Sequence, residues 1–264
     1  MSFEHLLTEA QKADVLSVDS SWGQGRTLFG GLSAALALSN IRQHIEPNRS
    51  LRSLGINFSG QALADTEFSL QQQVLSNGKS ISQVNGQLLQ NDRIVTQVCA
   101  CFGDDRESTI SEIYPAIALP EIGSNQRLNY IKGLTPEFVQ HFEFEYTKGQ
   151  FPFSNSPFNE LAGWVRFKEP ESTFTEAHLI ALIDAWPPVI LQKLKSFAPC
   201  ATVSWNVEIV QPLSNPSLFT GDWIYYDAEI KQAQQGYAHT EAKIYNAEGI
   251  LLALSRQLIA VYDQ

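Results

Sequence analysis

One order of elements occurs twice in this chain and limits its possible folds more than any other feature. It is an apolar helix followed by four strand-like runs. In the first copy, Gly30-Gly31 leads into Leu32 to Ile41, rich in Ala and Leu and apolar almost all round, as expected of a buried helix. Pro47 stops it. The runs Leu51 to Phe58, Glu67 to Leu75, Ile81 to Gln90 and Ile94 to Phe102 follow, with Asn77-Gly78 and Asn91-Asp92 as turn dipeptides between them. In the second copy, Thr173 and Glu176 stand at capping-box spacing before a helix from about Glu176 to Asp184, which Pro187-Pro188 break. Then come Thr202 to Val210, Trp223 to Ile230, Ala238 to Tyr245 and Leu251 to Tyr262, with turns at Gln235-Gly236 and Glu248-Gly249. Asn77-Gly78 and Gln235-Gly236 lie 158 residues apart, and Asp92 and Glu248 lie 156 apart. So constant an offset indicates an internal duplication.

The copies are joined by an irregular stretch, Asp104 to Glu137, charged at its start and punctuated by Pro115, Pro120 and Pro136. Phe138 to Tyr146 and Leu161 to Phe167 read as extra strands opening the second half. The expected division is 1–104, a linker at 105–137, and 138–264. One helix with a meander of antiparallel strands cannot cover both of its surfaces, so the sheet wraps round its own helix and its open edge needs a partner. Two such units paired edge to edge give one long curved sheet around central helices. The expected fold class is therefore α+β, a doubled hotdog.

Composition narrows the function classes. The chain has 264 residues, 44% of them hydrophobic, which is ample for a core. Its net charge of −10 and lack of a basic run argue against nucleic acid as a partner. No apolar run approaches the ~18 residues of a membrane span, and Met1-Ser2-Phe3-Glu4-His5 has no basic region leading into an apolar one. Three cysteines make neither a disulfide framework nor a zinc spacing. These features predict a reduced, cytoplasmic protein with no membrane span. Gly23-Gln24-Gly25 lacks the third glycine and the preceding strand of a dinucleotide fingerprint, and no Gly-x-Ser-x-Gly elbow is present. The five histidines form no metal-binding pair, so no metal and no cofactor is expected.

Asp184 is the residue hardest to explain as ordinary core. It ends an otherwise apolar helix, Leu182-Ile183-Asp184-Ala185-Trp186, where a carboxylate is costly without partners. The series Phe29-Gly30-Gly31, Gly55-Ile56-Asn57-Phe58, Ser76-Asn77-Gly78-Lys79-Ser80 and Val95 to Phe102 resembles the N-terminal hotdog of acyl-CoA thioesterases of the thioesterase II type. The series Ala162-Gly163-Trp164-Val165-Arg166, Ala181 to Ala185, Ala201 to Trp205 and Ala253 to Gln257 resembles the C-terminal one. The ordered set is specific, though no single piece is. The resemblance implies a catalytic group of Asp184, Thr202 and Gln257 holding a water against a thioester carbonyl. It also implies an acyl-CoA substrate, fatty acid metabolism, and a homo-oligomer, dimer or tetramer.

The chemistry suits these residue types. Thioester hydrolysis needs a nucleophilic water, a group to orient and deprotonate it, and donors for the developing oxyanion. Asp184 can serve as base, while the Thr202 hydroxyl and Gln257 amide can fix the water. Thr202 and Ser204, at i and i+2, are expected on one strand face, which leaves open which hydroxyl acts. Gly30 and Gly31 let a carbonyl approach a helix N-terminus closely. Lys79 and Arg256, with Arg26 and Arg52, are the basic residues near motif positions that could meet CoA phosphates. A tunnel lined by Leu28, Phe29, Trp164 and Trp186 is expected beside the helices. The alternative reading on the same fold is a non-catalytic acyl-thioester binder. Hydration of an enoyl thioester is the weaker option, since it wants an Asp and His together and no His falls in a matching motif.

Overall fold

The computed structural model describes residues 1–170, 172–213 and 223–263. The first copy consists of helix α2 (Gly30–Arg42) and strands β4 (Ser50–Phe58), β5 (Phe68–Asn77), β6 (Ile81–Gln90) and β7 (Arg93–Gly103). It is preceded by helix α1 (Phe3–Lys12) and the short strands β1 (Val15–Leu16), β2 (Gly23–Gln24) and β3 (Thr27–Leu28). The apolar side of α1, at Phe3, Leu6, Leu7 and Ala10, carries helical spacing that goes unread in the sequence because it lies outside the repeated units. After the connecting stretch come β8 (Gln126–Leu128), β9 (Phe142–Lys148) and β10 (Glu160–Phe167). The second copy is helix α3 (Glu176–Asp184) with β11 (Cys200–Ile209), β12 (Ile224–Gln234), β13 (Tyr237–Tyr245) and β14 (Leu251–Val261).

Twelve strands form one antiparallel sheet in the order β1-β5-β6-β7-β4-β11-β14-β13-β12-β10-β9-β8. The halves meet at β4 and β11, from Asn57 opposite Ser204 to Ser53 opposite Glu208. The β4 edge of the first copy thus finds its partner in the β11 edge of the second, as the double hotdog requires. The two central helices are apolar all round: α2 is buried from Gly31 to Ser39 and α3 from Ala177 to Ile183. Phe138 to His141 do not extend β9; Glu137–His141 form a 3₁₀ turn that places Phe138 against Phe29, ring centroids 4.4 Å apart.

Local chemistry explains the boundaries. The helix start at α3 is capped by Thr175, not Thr173, and His178 takes the place of the expected Glu176. The Thr175 N–H donates to His178 Nδ1 at 3.2 Å, so an imidazole does the work of the capping-box carboxylate. Asn91-Asp92 and Gln235-Gly236 have positive φ at both positions, as a two-residue hairpin turn demands. Asn77-Gly78 does not; β5 ends at Asn77 and β6 begins only at Ile81, so the connection is longer, and the Asn77 side chain accepts from Arg49 Nη1 at 2.7 Å.

The connecting stretch covers the outer face of the second half. Ile117 and Leu119 pack on Trp164, Tyr225, Tyr245 and Leu251, and Trp164 Nε1 donates to the Pro120 carbonyl at 3.0 Å. Gly249, at φ +78, admits this path, since a Cβ there would lie 1.9 Å from the Ile117 carbonyl oxygen. Buried Glu145 pins the end of the stretch through the Gly123 N–H at 2.7 Å and Arg127 at 2.9 Å. Among the described residues, no helix is long and apolar enough to cross a membrane.

Candidate active site

The N-terminus of α2 and the C-terminus of α3 meet at Asp184. Phe29 occupies the N-cap of α2 but offers no side-chain acceptor to the first-turn N–H groups. Asp184 supplies one from the neighbouring helix, and the Gly31 N–H donates to its carboxylate. The approach is so close that a Cβ on Gly30 would lie 2.9 Å from Asp184 Oδ2, and one on Gly31 would lie 2.9 Å from Asp184 Cβ. The two glycines therefore admit a carboxylate from the protein itself, rather than only a substrate carbonyl. The Gly30 N–H has no hydrogen-bond partner among the described residues and remains for a ligand.

From the sheet side, Gln257 Nε2 donates to Asp184 Oδ1 at 3.0 Å. Burial pushes the Asp184 carboxyl up to about 7, against the opposing pull of the Gly31 and Gln257 hydrogen bonds. A carboxyl titrating there can take and return a proton at neutral pH. Thus Asp184 and Gln257 are brought into contact, and Gly30 and Gly31 from the other half complete the same corner.

Thr202 is near but not joined to them. Trp205 pairs with Gln257, Ser204 with Leu258 and Thr202 with Ile259, leaving Val203 as the extra residue of a bulge. Directly opposed residues share a face, so Thr202 lies on the side of Gln257 and Ile259, diagonal to Gln257. Ser204 falls in the outer row with Asn57, Gln97 and Leu258. The expectation that Thr202 and Ser204 share a face is corrected by this bulge, which breaks the two-residue alternation. The Thr202 hydroxyl has no side-chain partner among the described residues.

The basic candidates lie elsewhere. Arg256 is adjacent to Gln257 on β14 and so points from the opposite face, where it pairs with Glu241 at 3.0 Å. Lys79 is exposed in the β5–β6 connection beside Arg49, just beyond the C-terminal end of α2. A 13-residue helix is about 20 Å long, so the far end of α2 separates Lys79 from Asp184. Arg26 donates to Gln61 at 2.9 Å, and Arg52 pairs with Asp105.

The expected tunnel lining divides. Leu28, Phe29 and Trp186 belong to the main interior core, whereas Trp164 belongs to the separate outer cluster under the connecting stretch. Two residues unmarked by any sequence motif stand close by, Tyr226 beside Asp184 and Tyr146 beside Trp186. Tyr226, on β12, has its phenol pushed up by burial and by the Asp184 carboxylate. Tyr146 on β9 is buried and its hydroxyl lacks a partner. Only the register reveals them, since Tyr226 and Tyr146 flank Gly163 in adjacent strands.

Comparison with known proteins agrees with this architecture. Residues 18–103 match the acyl-CoA thioesterase N-terminal domain, and residues 117–261 match the acyl-CoA thioesterase C-terminal domain. The chain belongs to the acyl-CoA thioesterase family. Among solved structures it is similar to a conserved hot dog fold protein of unknown function from Alicyclobacillus acidocaldarius, with TM-score 0.82, 22% identity, and 95% and 93% of the two chains covered. It is also similar to the acyl-CoA thioesterase II TesB2 of Mycobacterium marinum, with TM-score 0.76, 16% identity, and 100% and 99% covered. A tesB protein of Mycobacterium avium subsp. paratuberculosis gives TM-score 0.74 and 17% identity over 98% and 99% of the chains. Comparison with curated protein sequences returns no match.

Proposed function

We propose that this protein hydrolyses an acyl-CoA thioester in the cytoplasm to a free carboxylic acid and CoA, through a water held by Asp184, Thr202 and Gln257. The observation that carries this reading is the Asp184 carboxyl, held by Gln257 Nε2 at 3.0 Å and by the Gly31 N–H, and titrating at about 7. Asp184 takes a proton from the water as its oxygen adds to the thioester carbonyl. The Gly30 N–H, at the positive end of α2, faces the oxygen that gains charge. When the tetrahedral adduct collapses, the carbon–sulfur bond breaks and the proton returns from Asp184 to the departing CoA sulfur. Gln257 keeps the carboxylate aimed, and Thr202 fixes the line of attack.

The test is release of free thiol from a panel of acyl-CoAs by the purified protein. Hydrolysis that depends on Asp184 supports the reading. Tight binding with the thioester intact after hours makes the protein a non-catalytic acyl-thioester binder instead.

A further inference from the structure

The inner face beyond Asp184 carries a cluster of aromatic rings. Gly163 on β10 pairs with Tyr226 on one side and Tyr146 on the other, so this cross-strand row has two large rings around a gap. The gap is filled from the helix side by Trp186, two residues past Asp184 and directly before Pro187-Pro188. A Cβ on Gly163 would lie 2.7 Å from Trp186 Cη2. The indole stacks on Tyr226 at 5.5 Å and 10°, and meets Tyr146 edge-on at 5.1 Å and Phe144 at 5.3 Å. Trp186 is 4% exposed.

Between this row and Gln257 the central strands carry the small residues Ala228, Ala242 and Ser255, flanked in the same row by buried Leu161 and Val207, and Trp205 Nε1 donates to Ser255 Oγ at 2.8 Å. An acyl chain leaving a carbonyl at Asp184 toward the interior of the second half passes over Ala242 and Ala228 and then meets the indole. Trp186 Nε1 and Tyr146 Oη are both buried without hydrogen-bond partners. Burying such groups unpaired is costly, and a phenylalanine in place of Tyr146 would fill nearly the same space without an unpaired hydroxyl. A plain core does not account for the choice. We infer that Trp186 ends the acyl path and restricts the protein to short acyl chains, an inference that rests on the acyl-thioester reading of the Asp184 site.

Titration calorimetry with alkyl-CoA thioethers tests it, because a methylene in place of the carbonyl removes hydrolysis from the readout. Ethyl-, butyl-, hexyl-, decyl- and hexadecyl-CoA are compared on the wild type, Trp186→Ala and Trp186→Phe. In the wild type, affinity rises over the short chains and stops rising by decyl. In Trp186→Ala the gain continues, with decyl-CoA bound about tenfold or more tighter than by the wild type, and Trp186→Phe lies between. Should Trp186→Ala fail to fold, the Phe variant carries the comparison. Wild-type affinity that climbs steadily to hexadecyl, or variant profiles that coincide with it, overturns this role of Trp186 and leaves the acyl-thioester reading standing. Failure of every thioether to bind overturns both.

Discussion

At the scale of single residues, the decisive balance is the one around the Asp184 carboxyl. Burial raises it and two hydrogen bonds lower it, with burial the stronger, so it titrates at about 7. A reaction that needs the carboxylate therefore speeds up as pH rises through about 7, and thiol release measured across pH should show that single acid limb. Gln257 donates to the ionised form, so Gln257→Ala raises the carboxyl further and moves the limb to higher pH, with lower turnover at neutrality. Stability follows with a definite sign. The folded carboxyl titrates above its ordinary value of 3.8, so its ionisation costs nothing below that value and progressively more as pH rises through about 7. Asp184→Asn should thus gain in Tm relative to the wild type as pH increases over that window, read from melts at a series of pH values. Asp184 was legible in the sequence as a carboxylate misplaced in an apolar helix end. Its Gly31 partner was not, because the contact joins residues 153 positions apart and only the packing of α2 on α3 creates it.

At the scale of elements, the Val203 bulge and the α2 N-terminus carry the predictions. Because the bulge turns Ser204 to the outer row, Ser204→Ala should leave turnover unchanged, while Thr202→Val should lower it roughly tenfold to a hundredfold. Equal effects from the two changes would contradict the face assignment. Gly30→Ala places a Cβ 2.9 Å from Asp184 Oδ2 and 3.1 Å from Phe58 Cζ. The carboxylate must move, and turnover should fall by about 10², with the far-UV circular dichroism spectrum retained. Strand and helix runs were readable from period and turn residues: β6 and α3 fall where the pattern puts them. The bulge was not readable, since an extra residue leaves the local alternation of Thr202, Ser204 and Val203 looking like any strand. His178 as a cap partner escaped for a similar reason. A Glu at capping-box spacing is the familiar signal, and an imidazole in that place is recognised only from its geometry.

For the whole molecule, duplication fixes the architecture and also divides the proposed site. Asp184, Gln257 and Thr202 come from the second half, while Gly30 and Gly31 come from the first, across a sheet seam between β4 and β11. A fragment comprising residues 105–264 loses both the α2 N-terminus and the partner for β11. It should release no thiol from substrates that the full chain hydrolyses, and it should aggregate through its bare strand edge, visible by light scattering. The repeat made this arrangement legible, because constant offsets reveal two units and an open meander demands edge pairing. The path of the connecting stretch was not legible. It lies over Trp164 because Gly249 clears space for Ile117, a matter of contact rather than of pattern. For that reason Trp164 read as a tunnel residue, although it lies under the connecting stretch on the other side of the sheet.

The central claim is that the Asp184 carboxylate drives attack of water on an acyl thioester. Free-thiol release from acyl-CoA at neutral pH, measured side by side for the wild type and a folded Asp184→Asn, tests it most directly. The account predicts steady thiol release by the wild type and a loss of about 10² or more in the variant. Equal rates in the two proteins, or a folded wild type that releases no thiol, would contradict it.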